Sequence, residues 1–110
     1  MSGAFASNRL AEGQLAGPGT TVIYTAPGAT IAYIHVANFV NRTASATLVV
    51  LYLTGAGAAR EVGRATLQTA GWRFEYIDER PLHMKTGDTL SLSISSANNI
   101  DYLVTGVEET

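Results

Sequence analysis

From residue 20 onward, apolar and polar side chains recur with a period near two, the spacing of strands rather than helices. The clearest run is 89–95, where Leu90, Leu92 and Ile94 alternate with Thr89, Ser91, Ser93 and Ser95. In 72–77, Trp72, Phe74 and Tyr76 alternate with Arg73 and Glu75. Residues 20–26 form another strand candidate and end at Pro27-Gly28, a strong turn pair. Strands are also predicted over 46–53, 61–67, 82–84 and 101–107. The run 30–41 differs. Ala32, Ile34, Val36 and Val40 share one face, and Ile31, Tyr33, His35, Ala37 and Phe39 share the other. Both faces read as apolar, which predicts a central strand covered on both sides.

Turn-forming clusters separate these runs every eight to twelve residues, at 41–45, 54–59, 68–71, 78–81, 85–88 and 96–99. At 85–88, Gly87 is suited to positive φ and Asp88 to capping its own turn. Seven or eight short strands and no helix-period segment predict an all-β fold, an antiparallel β-sandwich of jelly-roll type. The expected core comprises Ile34, Val36, Leu48, Val50, Trp72, Phe74, Leu90, Leu92, Ile94 and Val104.

Residues 1–18 stand apart. Leu10 and Leu15 are apolar, but Gly13, Gly17, Pro18 and Gly19 argue against a long helix. The expectation is an extended N-terminal arm over 1–18 whose two leucines dock on a neighbouring chain, followed by a sandwich domain over 19–110.

Composition adds one anomaly. The 110 residues carry seven Lys/Arg and nine Asp/Glu, a net charge of −2, and charged residues make up 15% of the chain. About 25% is usual. That balance argues against a nucleic-acid partner held by phosphate contacts. The longest wholly apolar stretch, 48–53, is far shorter than a membrane-spanning helix, so no membrane partner is expected. No signal peptide is visible in the first residues. The absence of cysteine excludes disulfides, Cys-ligated zinc and thiol catalysis. Low charge fits either a Thr- and Ser-rich strand surface or a surface covered by a partner, because interface cores are poor in charge.

Candidate chemistry is sparse. His35 has no acidic residue within five positions; His83 follows Asp78 and Glu79, so a His/Asp/Glu cluster is conceivable. The tight His-x-His pair of cupin-type metal barrels is absent. No Gly-x-Ser-x-Gly elbow occurs, and Gly55–Gly57 is not followed by Gly-Lys-Ser/Thr. The carboxylate pairs Asp78-Glu79 and Glu108-Glu109 are adjacent residues, which face opposite ways on a strand. Asp78, Asp88 and Asp101 could gather at one sandwich end as calcium ligands, without calcium-loop spacing. The sequon Asn41-Arg42-Thr43 is read as chance. Trp72, Phe74 and Tyr76 read as core, the alternative being a sugar-stacking platform of Trp72, Tyr76 or Tyr33. The expectation is a non-enzyme with no cofactor and no metal.

The ordered segments Leu10-Ala11-Glu12-Gly13-Gln14-Leu15, Thr21 to Gly28, Val36 to Asn41, Leu51-Tyr52-Leu53, Gly87-Asp88-Thr89-Leu90 and Asp101 to Glu109 resemble a family of small all-β virion proteins of tailed bacteriophages. The resemblance spans residues 10–109. It implies a structural particle component, foremost a capsid decoration (cement) protein on the major capsid protein lattice, otherwise a neck, tail or fibre piece. It also implies location in the virion, assembled in the host bacterial cytoplasm. A carbohydrate-binding sandwich is the other alternative. The expected assembly is a homo-oligomer, with a trimer favoured. The candidate interface residues are Leu10, Leu15, Tyr33, His35 and Phe39, because surplus apolar surface is usually buried against another chain.

Overall fold

The computed structural model describes residues 5–55 and 57–109, with the side chains of 5–8 and 78–81 outside the description. Eight strands follow one another: β1 (Phe5–Ala16), β2 (Gly19–Thr25), β3 (Ile31–Asn41), β4 (Thr47–Gly55), β5 (Ala58–Leu67), β6 (Arg73–Met84), β7 (Thr89–Ile94) and β8 (Asn99–Glu109). They form two four-stranded sheets, β1-β8-β3-β6 and β2-β7-β4-β5, antiparallel throughout.

The strand order has a simple origin. The chain doubles back at the β4–β5 hairpin, so β4 pairs with β5, β3 with β6, β2 with β7 and β1 with β8. Rolling that long double ribbon brings β8 beside β3 and β7 beside β4. The result is a jelly roll, a double-sheet answer to the exposed-edge problem. The predicted sandwich is therefore present. Residues 5–16, expected within an extended arm, form an edge strand paired with β8 from Phe5↔Glu109 to Ala16↔Asn99. Gly and Pro ruled out a helix there, but a strand tolerates Gly13 at an edge, where its missing side chain makes room for the Tyr102 ring.

The core lies between the sheets. Phe39, Ile34, Leu51, Leu67, Met84, Leu90, Leu92, Ile100, Val49 and Val104 are fully buried in it. Of the predicted core, Ile34, Val50, Leu90, Leu92, Ile94 and Val104 are buried, and Val36, Leu48 and Phe74 are half-buried. Trp72 is a correction, being 53% exposed. β6 begins one residue later, and the 68–71 turn carries Trp72 past the end of the sheet. Its backbone is still anchored, with the Asn41 N–H donating to its carbonyl at 2.8 Å.

The two-faced β3 is also explained. Its register against β8 slips between Ile34↔Gly106 and Val36↔Thr105, leaving His35 as the extra residue of a bulge. A one-residue bulge exchanges the two faces. Ala32 and Ile34 point inward before it, Ala37 and Phe39 after it, so the strand has one inner face rather than two. The bulge brings the chains close: a Cβ on Gly106 would sit 2.1 Å from the Tyr33 carbonyl oxygen. On the other side of β3, β6 carries four residues (78–81) between the rungs to Ile34 and Val36 where β3 carries one. Segments 72–77 and 82–84 are thus one strand with an excursion, not two strands.

Similar shifts occur at Leu10, Ile23 and Val62. They line up across each sheet: Leu10, Thr105, His35 and 78–81 in one, Ile23, Ser91, Tyr52 and Val62 in the other. Bulges bend the strands that carry them. A row of them lets both sheets curve together over one core.

One end of the sandwich is closed by amides. Asn41 and Asn98 are both buried. Asn41 Nδ2 donates to the Ser45 and Leu67 carbonyls at 2.9 and 3.2 Å, and its Oδ1 accepts from the Thr43 N–H at 3.0 Å and Asn98 Nδ2 at 3.2 Å. Asn98 Nδ2 also donates to the Ser45 carbonyl at 2.7 Å, and its Oδ1 accepts from the Ser96 hydroxyl at 2.8 Å. At the other end Gly87 has a φ of 87°, and Asp88 Oδ2 accepts the Lys85 N–H at 3.0 Å, the turn its sequence predicts.

Candidate interaction surface

Both sheets turn an outer face with some exposed apolar residues away from the core. Antiparallel partners share a face, so the registers define each rung. On the β2-β7-β4-β5 sheet the outward rungs mix polar and apolar residues, such as Val22–Ser91–Tyr52–Glu61 and Thr20–Ser93–Val50–Arg64, and Val22 is 53% exposed. The Arg64 guanidinium bonds Glu61 through its Nε at 2.9 Å, and this hydrogen bond, more than the charge itself, holds the Glu61 carboxyl below its usual range.

On the outward face of β1-β8-β3-β6 the apolar residues sit on neighbouring strands. One rung holds Tyr33, His83 and Val107; the next holds Val36, Ile77 and Thr105; the third holds Asn38, Glu75, Leu103 and Glu12. Ile77 is 61% exposed and Leu103 37%. The Tyr33 and His83 rings lie 5.4 Å apart at 43°. Polar groups rim this apolar strip: Arg9 and Glu12 pair at 2.6 Å on β1, and Gln14 donates to Asp101 at 2.8 Å. No pocket opens in this strip among the described residues. Contact surfaces commonly set apolar residues inside a polar rim.

The five predicted interface residues part company here. Tyr33 and His35 do reach the outer side of this sheet, Tyr33 half-buried and His35 exposed at the bulge. Phe39 does not. It is fully buried and stacks on Phe74 at 5.9 Å, because the bulge reverses the face of everything after His35. Leu10 and Leu15 are half-buried against this chain's own core, with Leu15 opposite Ile100. Val36, Ile77, Leu103 and Val107 were missed. Ile77 had a signal, since it shares the parity of Arg73 and Glu75, the wet side of that strand.

The other candidates come apart. Asp88 and Asp101 sit at opposite ends of the sandwich, Asp101 beside Gln14 and Arg42 and Asp88 in the β6–β7 turn. The Asp78 and Glu79 side chains, on which a cluster with His83 or a calcium site depends, lie outside the described residues. Among the described residues no three His, Asp or Glu side chains converge. The sequon amide of Asn41 is buried with both donors used. Trp72, Tyr76 and Tyr33 form no common platform: Tyr76 packs on the core, and Tyr33 lies on the outer face opposite His83.

Neither protein-family models nor curated protein sequences yield a match. Among solved structures, the chain is similar to Eiger TNF from S. frugiperda, with a TM-score of 0.45 and 10% identity over 96% of this chain and 89% of that one. It is also similar to chains of infectious bursal disease virus. For strain Gt the TM-score is 0.36 at 13% identity, and for strain Gx 0.36 at 14%. Each viral match covers 96% of this chain but only 32% and 30% of the viral chains. The jelly-roll assignment stands on this chain's own strand order.

Proposed function

We propose that this chain is a structural component of a tailed-bacteriophage virion, a decoration protein that lays the outer face of its β1-β8-β3-β6 sheet on the major capsid protein lattice. The observation that carries the reading is the exposed apolar strip through Val36, Ile77 and Leu103 on a sheet face that a lone sandwich would keep polar. The resemblance of the ordered segments to small virion proteins supports this choice of partner. The role needs no catalytic group, because a lattice of many weak contacts holds by their number.

The test is co-sedimentation of the purified chain with particles of its own phage assembled without it. The chain should bind intact heads. Substituting Ile77→Asp and Leu103→Asp together should abolish binding while leaving the thermal midpoint nearly unchanged, since both side chains are on the surface. Binding to necks or tails but not heads would move the protein to the alternative location. A chain that binds no virion part at micromolar concentration removes the reading.

A further inference from the structure

β1 leaves one long edge open. Among the described residues it pairs only with β8, and its other edge has no strand partner. The other three edge strands are defended. β6 is interrupted by the 78–81 excursion, which contains Pro81. β5 carries the exposed charges Arg60, Glu61 and Arg64. β2 has only seven residues and a bulge. Such breaks, charges and short lengths are how sheets avoid edge-to-edge association. The charges of β1 are one Arg and one Glu, of opposite sign, pointing to the same face.

We infer that the free edge of β1 pairs antiparallel with the same edge of a second copy, about a two-fold axis between Leu10 and Ala11. Three features centre on that point. The strand runs from Phe5 to Ala16, so this axis overlaps the two strands end to end. The β1 bulge lies there, between Arg9 and Ala11. The same axis sets Arg9 opposite Glu12 of the second copy, and Glu12 opposite its Arg9.

Parity makes the coincidence informative. A regular strand pairs with itself about a two-fold only when some residue faces its own copy. Arg9 facing Glu12 breaks that rule in an unbulged strand. A bulge makes two residues occupy one rung. Leu10 and Ala11 then count together and face their own copies, and Arg9 and Glu12 become symmetric neighbours on either side. The bulge therefore fits this contact rather than blocking it. The interface is isologous, the commonest kind in soluble oligomers. Within one chain the Arg9–Glu12 pair is about 60% exposed on both sides, so exchanging it for cross-axis pairs costs little.

This two-fold contact differs from the trimer that the sequence suggested. Two supports for the trimer are gone: the leucines of 1–18 pack on the chain's own core, and β3 has one inner face. The inference is independent of the lattice reading, since a chain that dimerises in solution and ignores capsids would sink that reading alone.

The experiment is sedimentation equilibrium of the full chain, with thermal melts confirming that each variant is folded. The parent should form dimers. Arg9→Glu and Glu12→Arg should each weaken dimerisation about tenfold, because each places like charges across the axis twice. An equimolar mixture of the two variants should recover parental affinity as heterodimers. That recovery cannot come from a bridge within one chain, since each variant carries two like charges. A monomer up to about 1 mM, the weak limit of specific association, overturns the inference. So does a dimer indifferent to both substitutions, or a mixture that stays as weak as its components.

Discussion

Replacing Asn41 by Asp changes one NH₂ to an oxygen and almost nothing in volume, yet it should be among the most damaging substitutions in the chain. The amide orientation is set by its surroundings: the Thr43 N–H can only donate, so Oδ1 lies on that side and Nδ2 faces the Ser45 and Leu67 carbonyls. In Asn41→Asp the second oxygen meets two carbonyl oxygens where two donations stood. The Ser45 carbonyl keeps its bond from Asn98 Nδ2. The Leu67 carbonyl loses its side-chain donor. Two lost hydrogen bonds at about 1 kcal/mol each, and an acceptor set against acceptors in a buried site, come to about 3–5 kcal/mol at neutral pH. For a domain of this size that is a fall in melting temperature of about 10–20 °C. The deficit also depends on pH. A carboxyl buried without a cation has its folded-state pKa raised above the unfolded value of about 3.9. The variant is then least handicapped near pH 4 and loses stability as pH rises toward 7. Thermal or urea unfolding of parent and variant from pH 4 to 7 measures both effects. A variant within about 1 kcal/mol of the parent at pH 7, with no added pH slope, would refute the account of this network.

Two further outcomes follow from the same structure. Burial, then the 2.5 Å hydrogen bond to Glu108, then that carboxylate's charge push the Tyr24 phenol far above its ordinary pKa. Its stabilising share is therefore complete below about pH 10 and is lost above it at up to about 1.4 kcal/mol per pH unit; urea midpoints at alkaline pH should fall more steeply for the parent than for Tyr24→Phe, and identical slopes would contradict this. Gly106→Ala should cost about 3 kcal/mol or more by chemical denaturation, because its Cβ would overlap the Tyr33 carbonyl, whereas Gly28→Ala, with open space around it, should be nearly neutral; similar stabilities for the two variants would count against the bulge geometry.

Alternation and turn chemistry by themselves specified an all-β sandwich and five of its ten proposed core positions, Ile34, Leu90, Leu92, Ile94 and Val104. Leu90, Leu92 and Ile94 are buried because β7 is regular, and regular strands keep their parity. Gly87 and Asp88 form the expected turn because that turn is local. Tertiary structure decided the rest. Whether 5–16 was arm or strand depended on β8, more than eighty residues away, which supplies its pairing. The bulge at His35 arises from contacts with β8 and β6, and it moved Phe39 from a predicted interface into the core. A strand pattern read at period two has no means of showing an added residue, since the slip reverses every later side chain without altering the composition. The outer strip was hidden for a related reason. Val36, Ile77 and Leu103 lie on three different strands, and only sheet pairing makes them one surface.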